Sequence, residues 1–479
     1  MKRYSHHNMI IAVTLIAFAL VGAAPVRAQL DPRTHRAPAL EFEAPEVAQF
    51  TTDNGLRVVF LESHELPVVR ITLYFPGGAI YESNDLCGAS EITASLMRSG
   101  GTGKMSGEQI DEELDFLAAT IKSAATRDKL FLEMRCLKKD FARVFELFAR
   151  ILSDPRFDSA RMALEISNLS DEIRRQFDSP TAATRHLFYE TVYGKSYYGR
   201  NPTLSSLSHI QRNTIRKTYE YNYAPTRGIM AVSGDLTREE LASALDKHLA
   251  KWKGDTNSAG AAPLASPPAE KVRGKPGVYY AFKDISQTSI RLGHVTDLFE
   301  SPDRYAVRVT NYAVGVGFTG RLLSKVRSEA GLAYSVGSYF VNRPKLGTFF
   351  AYCQTRAGAT TQALQMVIDI ISEVKLNGIT EEEFERAKES ILNSFVFEYE
   401  TPHQVAESVA ESMFYGFPAA QSALDLEALN AVTFDDCRQA ALKYYRPEDF
   451  VIVVVGDTTQ MDGPLSKFGK VSALSLEIK

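Results

Sequence analysis

Two rhythms of apolar and polar positions run along the chain. Residues 56–61 and 68–75 are β-branched, apolar-rich runs separated by a short turn, and they predict a hairpin. Residues 108–119, 139–152 and 159–177 carry apolar side chains at helical spacing. Continuous apolar runs return at 229–232 and 451–455, each preceded by a predicted helix, 214–222 and 435–444. Strands and helices are grouped, not strictly alternated, so the pattern predicts an α+β fold and argues against a doubly wound parallel sheet.

The two late strands belong to a repeat. Tyr223-Ala224-Pro225 is followed nine residues after the proline by Gly234-Asp235, and Tyr445-Arg446-Pro447 is followed nine residues after the proline by Gly456-Asp457. Helix, Y-x-P, strand and Gly-Asp at one spacing twice indicate a duplicated unit. Between the copies, Asp255 to Glu270 reads D-T-N-S-A-G-A-A-P-L-A-S-P-P-A-E, where no periodicity survives. Residues 255–272 are therefore the expected linker between an N-terminal domain, 29–254, and a C-terminal domain, 273–479.

The start of the chain has a different character. Lys2 and Arg3 precede an apolar run from Met9 to Ala24, and Val26-Arg27-Ala28 supplies small residues at a cleavage position. Residues 1–28 are expected to be a secretory signal peptide cleaved after Ala28, with a periplasmic destination. Losing Lys2, Arg3 and Arg27 leaves 51 basic against 58 acidic residues, a net charge of −7 in place of −4. That balance gives no footing for nucleic-acid binding. The four cysteines, Cys87, Cys136, Cys353 and Cys437, have no disulfide-framework or C-x-x-C spacing and read as buried thiols.

Residues 88–102, G-A-S-E-I-T-A-S-L-M-R-S-G-G-T, carry the main chemical information. This stretch resembles the helix bearing H-x-x-E-H in the pitrilysin/insulysin-type inverted zinc peptidases, in their mitochondrial-processing-peptidase-like branch. Ser106-x-x-x-Ile110, Ala124 to Asp128 and Ser153 to Phe157 extend the resemblance. It implies two homologous domains, each a mainly antiparallel sheet packed with helices, forming a clamshell. The positions expected to hold His, Glu and His are Glu91, Ala94 and Ser95, and the distal carboxylate position is Glu172, 77 residues after Ser95. Ala94 accepts no proton, Ser95 is a poor zinc ligand, and two carboxylates do not make a zinc site. Glu172 also reads as a surface carboxylate paired with Arg174 or Arg175.

The segment 315–334, G-V-G-F-T-G-R-L-L-S-K-V-R-S-E-A-G-L-A-Y, keeps a second feature. By the same resemblance Arg327 and Tyr334 act on substrate: a Tyr hydroxyl donates to the oxyanion formed at an attacked amide, and an Arg holds a neighbouring carbonyl. A plainer reading has Arg327 capping a helix and Tyr334 packing in a core. Gly315, Gly317 and Gly320 lack the Lys-Ser/Thr of a phosphate loop. The resemblance places the substrate edge strand at Ile121, Ser123 and Ala124.

The function this implies is a non-catalytic, substrate-binding subunit of a periplasmic two-chain zinc metallopeptidase. This chain would carry no cofactor, zinc being expected in the partner. The partner would be a homologous H-x-x-E-H subunit, and the substrate a peptide or unfolded polypeptide. The alternative is a catalytically inert peptide-binding or scaffold protein. A hydrolase built on Ser90, Ser95 or Cys87 is disfavoured, since no His is close in sequence and no G-x-S-x-G elbow occurs.

Overall fold

The computed structural model describes residues 46–194, 196–253, 274–344 and 346–478. The expected signal peptide and linker lie outside the described residues. Two six-stranded sheets dominate. The first holds β1 (Ala48–Thr51), β2 (Arg57–Glu62), β3 (Val68–Pro76), β4 (Thr120–Ala125), β5 (Lys129–Leu137) and β6 (Ile229–Gly234), in the order β1-β2-β6-β3-β5-β4. The second holds β7 (Gly277–Phe282), β8 (Gln287–Thr296), β9 (Ser335–Val341), β10 (Gly347–Arg356), β11 (Val451–Gly456) and β12 (Val471–Ala473), in the order β12-β7-β11-β8-β10-β9. From the second position on the orders coincide, as a duplicated unit requires; the outermost strands differ, since β1 precedes β2 and runs antiparallel to it, while β12 ends the second half and runs parallel to β7.

The expected hairpin between residues 56–61 and 68–75 does not form. β6 lies between β2 and β3, parallel to the first and antiparallel to the second. The cause is hydrophobic: β6 and β11 are buried along their whole length, so each needs cover on both faces and takes a central place. β2 makes its hairpin with β1 instead, through a turn closed by Gly55 at φ 89°.

The helices of the first half are α1 (Ala89–Ser99), α2 (Gly107–Phe116), α3 (Phe141–Ser153), α4 (Ser159–Arg175), α5 (Pro180–Tyr193), α6 (Leu204–Ser208), α7 (Arg212–Asn222) and α8 (Arg238–Leu249). Those of the second are α9 (Arg304–Asn311), α10 (Thr360–Asn377), α11 (Glu381–Phe395), α12 (Pro402–Phe414), α13 (Gln421–Ala431) and α14 (Phe434–Tyr444). One face of each sheet packs on helices of its own half. Val58, Ile71 and Leu132 meet Ile92, Phe145 and Phe148; Ile290, Leu292 and Phe349 share a core with Val309, Leu364 and Ala440.

The other faces are covered by exchange. α12, from the second half, lays Ala406, Val409 and Ala410 on Val59, Tyr74 and Ala231 of the first sheet. α5, from the first half, lays Leu187, Phe188 and Val192 near Val295, Phe350 and Val453 of the second. Both helices open with a capping hydroxyl and a proline, Ser179-Pro180 and Thr401-Pro402. Polar contacts pin α12: His403 bonds the hydroxyls of Ser233 and Thr72, each at 3.0 Å, and Tyr74 donates to Glu407 at 2.6 Å. Each large apolar side chain kept from water is worth about 1.5–3 kcal/mol, so parting the halves would expose both interfaces at high cost. The two helices interlock the halves.

A helix with altered site residues and an exposed Arg/Tyr pair

The entry to α1 is tightly specified. Gly88 is left-handed (φ 104°), and a Cβ there would lie 2.9 Å from Leu207. The Glu82 carboxylate accepts the N–H groups of Gly88 and Ser90, satisfying donors that the helix leaves open. Ile92, Leu96 and Met97 are buried, while Glu91, Ser95 and Arg98 recur at i, i+4 and i+7 on the opposite side.

α4 runs alongside α1. Ser99 donates to Glu165 at 2.8 Å, and Arg161 Nε donates to the Ser99 carbonyl at 3.3 Å. From that pin, about two helical turns back along α1 and forward along α4 bring Glu91 and Glu172 together. Glu91 reaches solvent but is crowded by protein: burial, then the charges of Glu172 and Glu82, raise its carboxyl above the usual range. Glu172 is exposed, as the surface reading expected, but among the described residues neither arginine pairs with it. Arg174 donates to the Asp171 carboxylate at 2.7 Å and Arg175 to the Asp171 carbonyl at 3.3 Å.

Zinc chemistry does not fit these side chains. Ala94 is fully buried with nothing to accept a proton, and Ser95 offers only a hydroxyl beside two carboxylates. Among the described residues no group of three His, Cys, Asp or Glu side chains is arranged to hold a metal. The crowded carboxylates make a test. A carboxyl raised in the folded state contributes stability below its unfolded pKa and loses it as pH rises through the folded pKa. Glu91→Gln should therefore raise Tm at pH 7, and the gain should shrink on acidification towards pH 4; thermal melts across that range check it.

Arg327 lies in Leu322–Glu329, wound as a π-helix, and Tyr334 precedes β9. The plainer reading of the pair is overturned for both residues. Arg327 is exposed and Tyr334 is 59% exposed, its ring outside the core. Among the described residues neither side chain has a hydrogen-bond or ion-pair partner. The backbone beneath them is fixed: Tyr334 N–H donates to Gln354 O at 2.8 Å, and Leu332 N–H to Val326 O at 2.9 Å. The arginine that is buried is Arg321, which makes a two-pronged pair with Glu383 at 2.6 Å for each bond. In the sequence Arg321 is one member of the 315–334 segment, and nothing local to it marks a partner 62 residues away. No hydrogen bond or ion pair among the described residues links Arg327 or Tyr334 to α1; the two features sit in different halves.

The edge strands differ. Gly315 crosses β9 so closely that a Cβ would lie 2.4 Å from Ser338 N, and the turn covers that edge. β4 pairs with β5 alone, and among the described residues no strand lies along its other side. Thr126 N–H donates to Lys129 O at 2.7 Å, so 126 and 129 form a hydrogen-bonded pair, and such pairs alternate along the ladder. Thr120, Lys122 and Ala124 therefore bond to β5, while Ile121, Ser123 and Ala125 turn their main-chain groups outward. Pro76, with no N–H to give, falls opposite Lys129 at a non-bonded position of the neighbouring ladder, as this phase demands. Ile121 and Ser123 thus present main-chain groups to the open edge, Ala124 does not, and Ala125 does.

Comparison with known proteins matches residues 57–202 to the family described as insulinase (peptidase family M16), and residues 209–391 to the peptidase M16 inactive domain. An uncharacterized zinc protease of Bacillus subtilis is 22% identical over 423 residues, 87% of this chain and 99% of its own length. One from Streptomyces coelicolor is 26% identical over 404 residues, covering 82% and 86%. Among solved structures, a peptidase M16 inactive domain from Pseudomonas fluorescens superposes with a TM-score of 0.76 at 24% identity, covering 86% of this chain and 98% of that one. A protease from Helicobacter pylori gives 0.76 at 18% identity, covering 86% and 99%. These structural likenesses are likenesses of fold.

Proposed function

The chain belongs to the M16 peptidase family, and from that membership we propose that it is the non-catalytic subunit of a two-chain zinc peptidase. The observation that carries the reading is a contrast within one molecule. The face of α1 has Glu91, Ala94 and Ser95 where the family's metal chemistry is expected, while Arg327 and Tyr334 stand exposed and, among the described residues, unpaired on a fixed backbone. A Tyr hydroxyl and an Arg guanidinium held this way are donors without an acceptor. A homologous chain with intact H-x-x-E-H would supply the metal and the attacking water. This chain would supply a hydrogen bond from Tyr334 to the developing oxyanion and a guanidinium from Arg327 to a neighbouring carbonyl. The substrate is a peptide or unfolded segment added as a strand to an open sheet edge such as β4. The site of action is the periplasm, reached through residues 1–28 with cleavage after Ala28.

Reconstitution tests the proposal. The mature chain alone should cleave no peptide; mixed with the H-x-x-E-H chain it should raise cleavage well above that of the partner alone. A partner whose activity does not respond to this chain would favour the inert scaffold, and zinc-dependent cleavage by this chain alone would overturn the proposal.

A further inference from the structure

We infer that Arg98 closes the first rung of the open β4 edge, and so sets which main-chain positions of a bound peptide strand can pair with this chain. The inference rests on the peptide-binding reading above. Of the three outward-facing residues, Ile121 is already engaged: Arg98 Nε donates to its carbonyl at 3.1 Å. The Arg98 guanidinium is in turn paired with Asp111 of α2. At 19% exposure, held by one helix and paired with another, this side chain is not a freely swinging surface arginine. It stands where the first N–H of an incoming strand would donate.

Among the described residues no hydrogen bond engages the outward main-chain groups of the rest of the edge. Ser123 and Ala125 each offer an outward N–H and C=O, the geometry of two successive hydrogen-bonded pairs in an antiparallel ladder. A peptide strand would then use its N–H and C=O at one residue against Ser123 and at a second, two residues away, against Ala125. The third rung, opposite Ile121, would give its N–H nothing to bond. The ligand class is an extended peptide with two obligatory N–H groups at i and i+2, and tolerance of proline or N-methylation at the next alternate position beyond Ser123. Arg98 also lies two turns along the same helical face from Glu91, so the capped rung lies beside the face that the proposed function assigns to the altered site. Arg98 touches no reacting atom in this scheme: it is a positioning residue that sets register.

The experiment is an N-methyl scan. A fluorescein-labelled extended nonapeptide of Ala, Val and Thr, with its set of single N-methyl variants, is titrated into the mature full chain and read by anisotropy. In the wild type, N-methylation should weaken binding about fivefold at two positions spaced by two residues, the loss of one main-chain hydrogen bond each. In Arg98→Leu a third sensitive position should appear two residues further on, and the parent peptide should bind about fivefold tighter. Asp111→Asn, on the surface of α2, should give the same change in part and serves if Arg98→Leu does not fold. Three sensitive positions already in the wild type, or the same two in every variant, would overturn the inference while leaving peptide binding standing. No binding by any of these proteins would overturn both.

Discussion

In the reconstituted two-chain enzyme, Tyr334→Phe should lower kcat by about a hundredfold, the scale for losing one oxyanion donor. KM should change little, because the hydroxyl is used fully only when charge develops on the attacked oxygen. The substitution is clean for a structural reason. The Tyr334 ring is 59% exposed and its hydroxyl bonds nothing among the described residues, so Phe removes a donor without opening a cavity or stranding a partner. The melting temperature of the isolated chain should accordingly stay the same, which separates a catalytic loss from an unfolded subunit. Arg327→Gln should act differently, raising KM more than it lowers kcat, since a guanidinium on a neighbouring carbonyl binds ground state and transition state alike. An unchanged kcat in the Tyr334→Phe complex would remove that residue from the mechanism.

What the sequence made legible follows from where the physics is local. The Y-x-P repeat was readable because a continuous apolar run and a helix stop are short-range signals, and both copies became central strands, β6 and β11. Whether β2 and β3 pair was not readable, since two apolar runs across a short turn look alike whether or not a third strand, from more than 150 residues away, comes between them. The exchange of α5 and α12 was invisible for the same reason, although Ser179-Pro180 and Thr401-Pro402 marked their starts. A helix stripe says that a face is buried, not whose sheet buries it. At the site, Glu91 and Glu172 follow from the family resemblance, and the Ser99–Glu165 bond lies between the two helices that carry them. The contact of Arg98 with the Ile121 carbonyl is not legible in the sequence, because a backbone carbonyl leaves no mark in the residue types.

Breaking the buried pair Arg321–Glu383 should give a large stability effect. Arg321→Met removes one partner and strands a carboxylate that is only 16% exposed, at a cost of roughly 3–5 kcal/mol. Burial alone would raise the Glu383 carboxyl, but its bonds from Arg321 and from Thr380 outweigh that and hold it below the usual range. A carboxylate depressed in the folded state contributes stability above its unfolded pKa and loses it as pH falls through the folded value. The penalty of Arg321→Met, measured by urea denaturation, should therefore be largest at neutral pH and should narrow in acid, where Glu383 takes a proton in the variant first. Arg321→Met combined with Glu383→Leu should recover most of the loss, because replacing both charges of the pair by apolar groups leaves no buried charge unpaired, and the Thr380 N–H that loses its acceptor is exposed to water. Equal penalties in the single and double variants would mean that the cost lies in packing at the turn, not in a stranded charge. Arg321 begins the segment that carries Arg327, so the same comparison made on the reconstituted complex bears on function. If the ion pair is what fixes that segment, activity should fall in the single variant and return with stability in the double one.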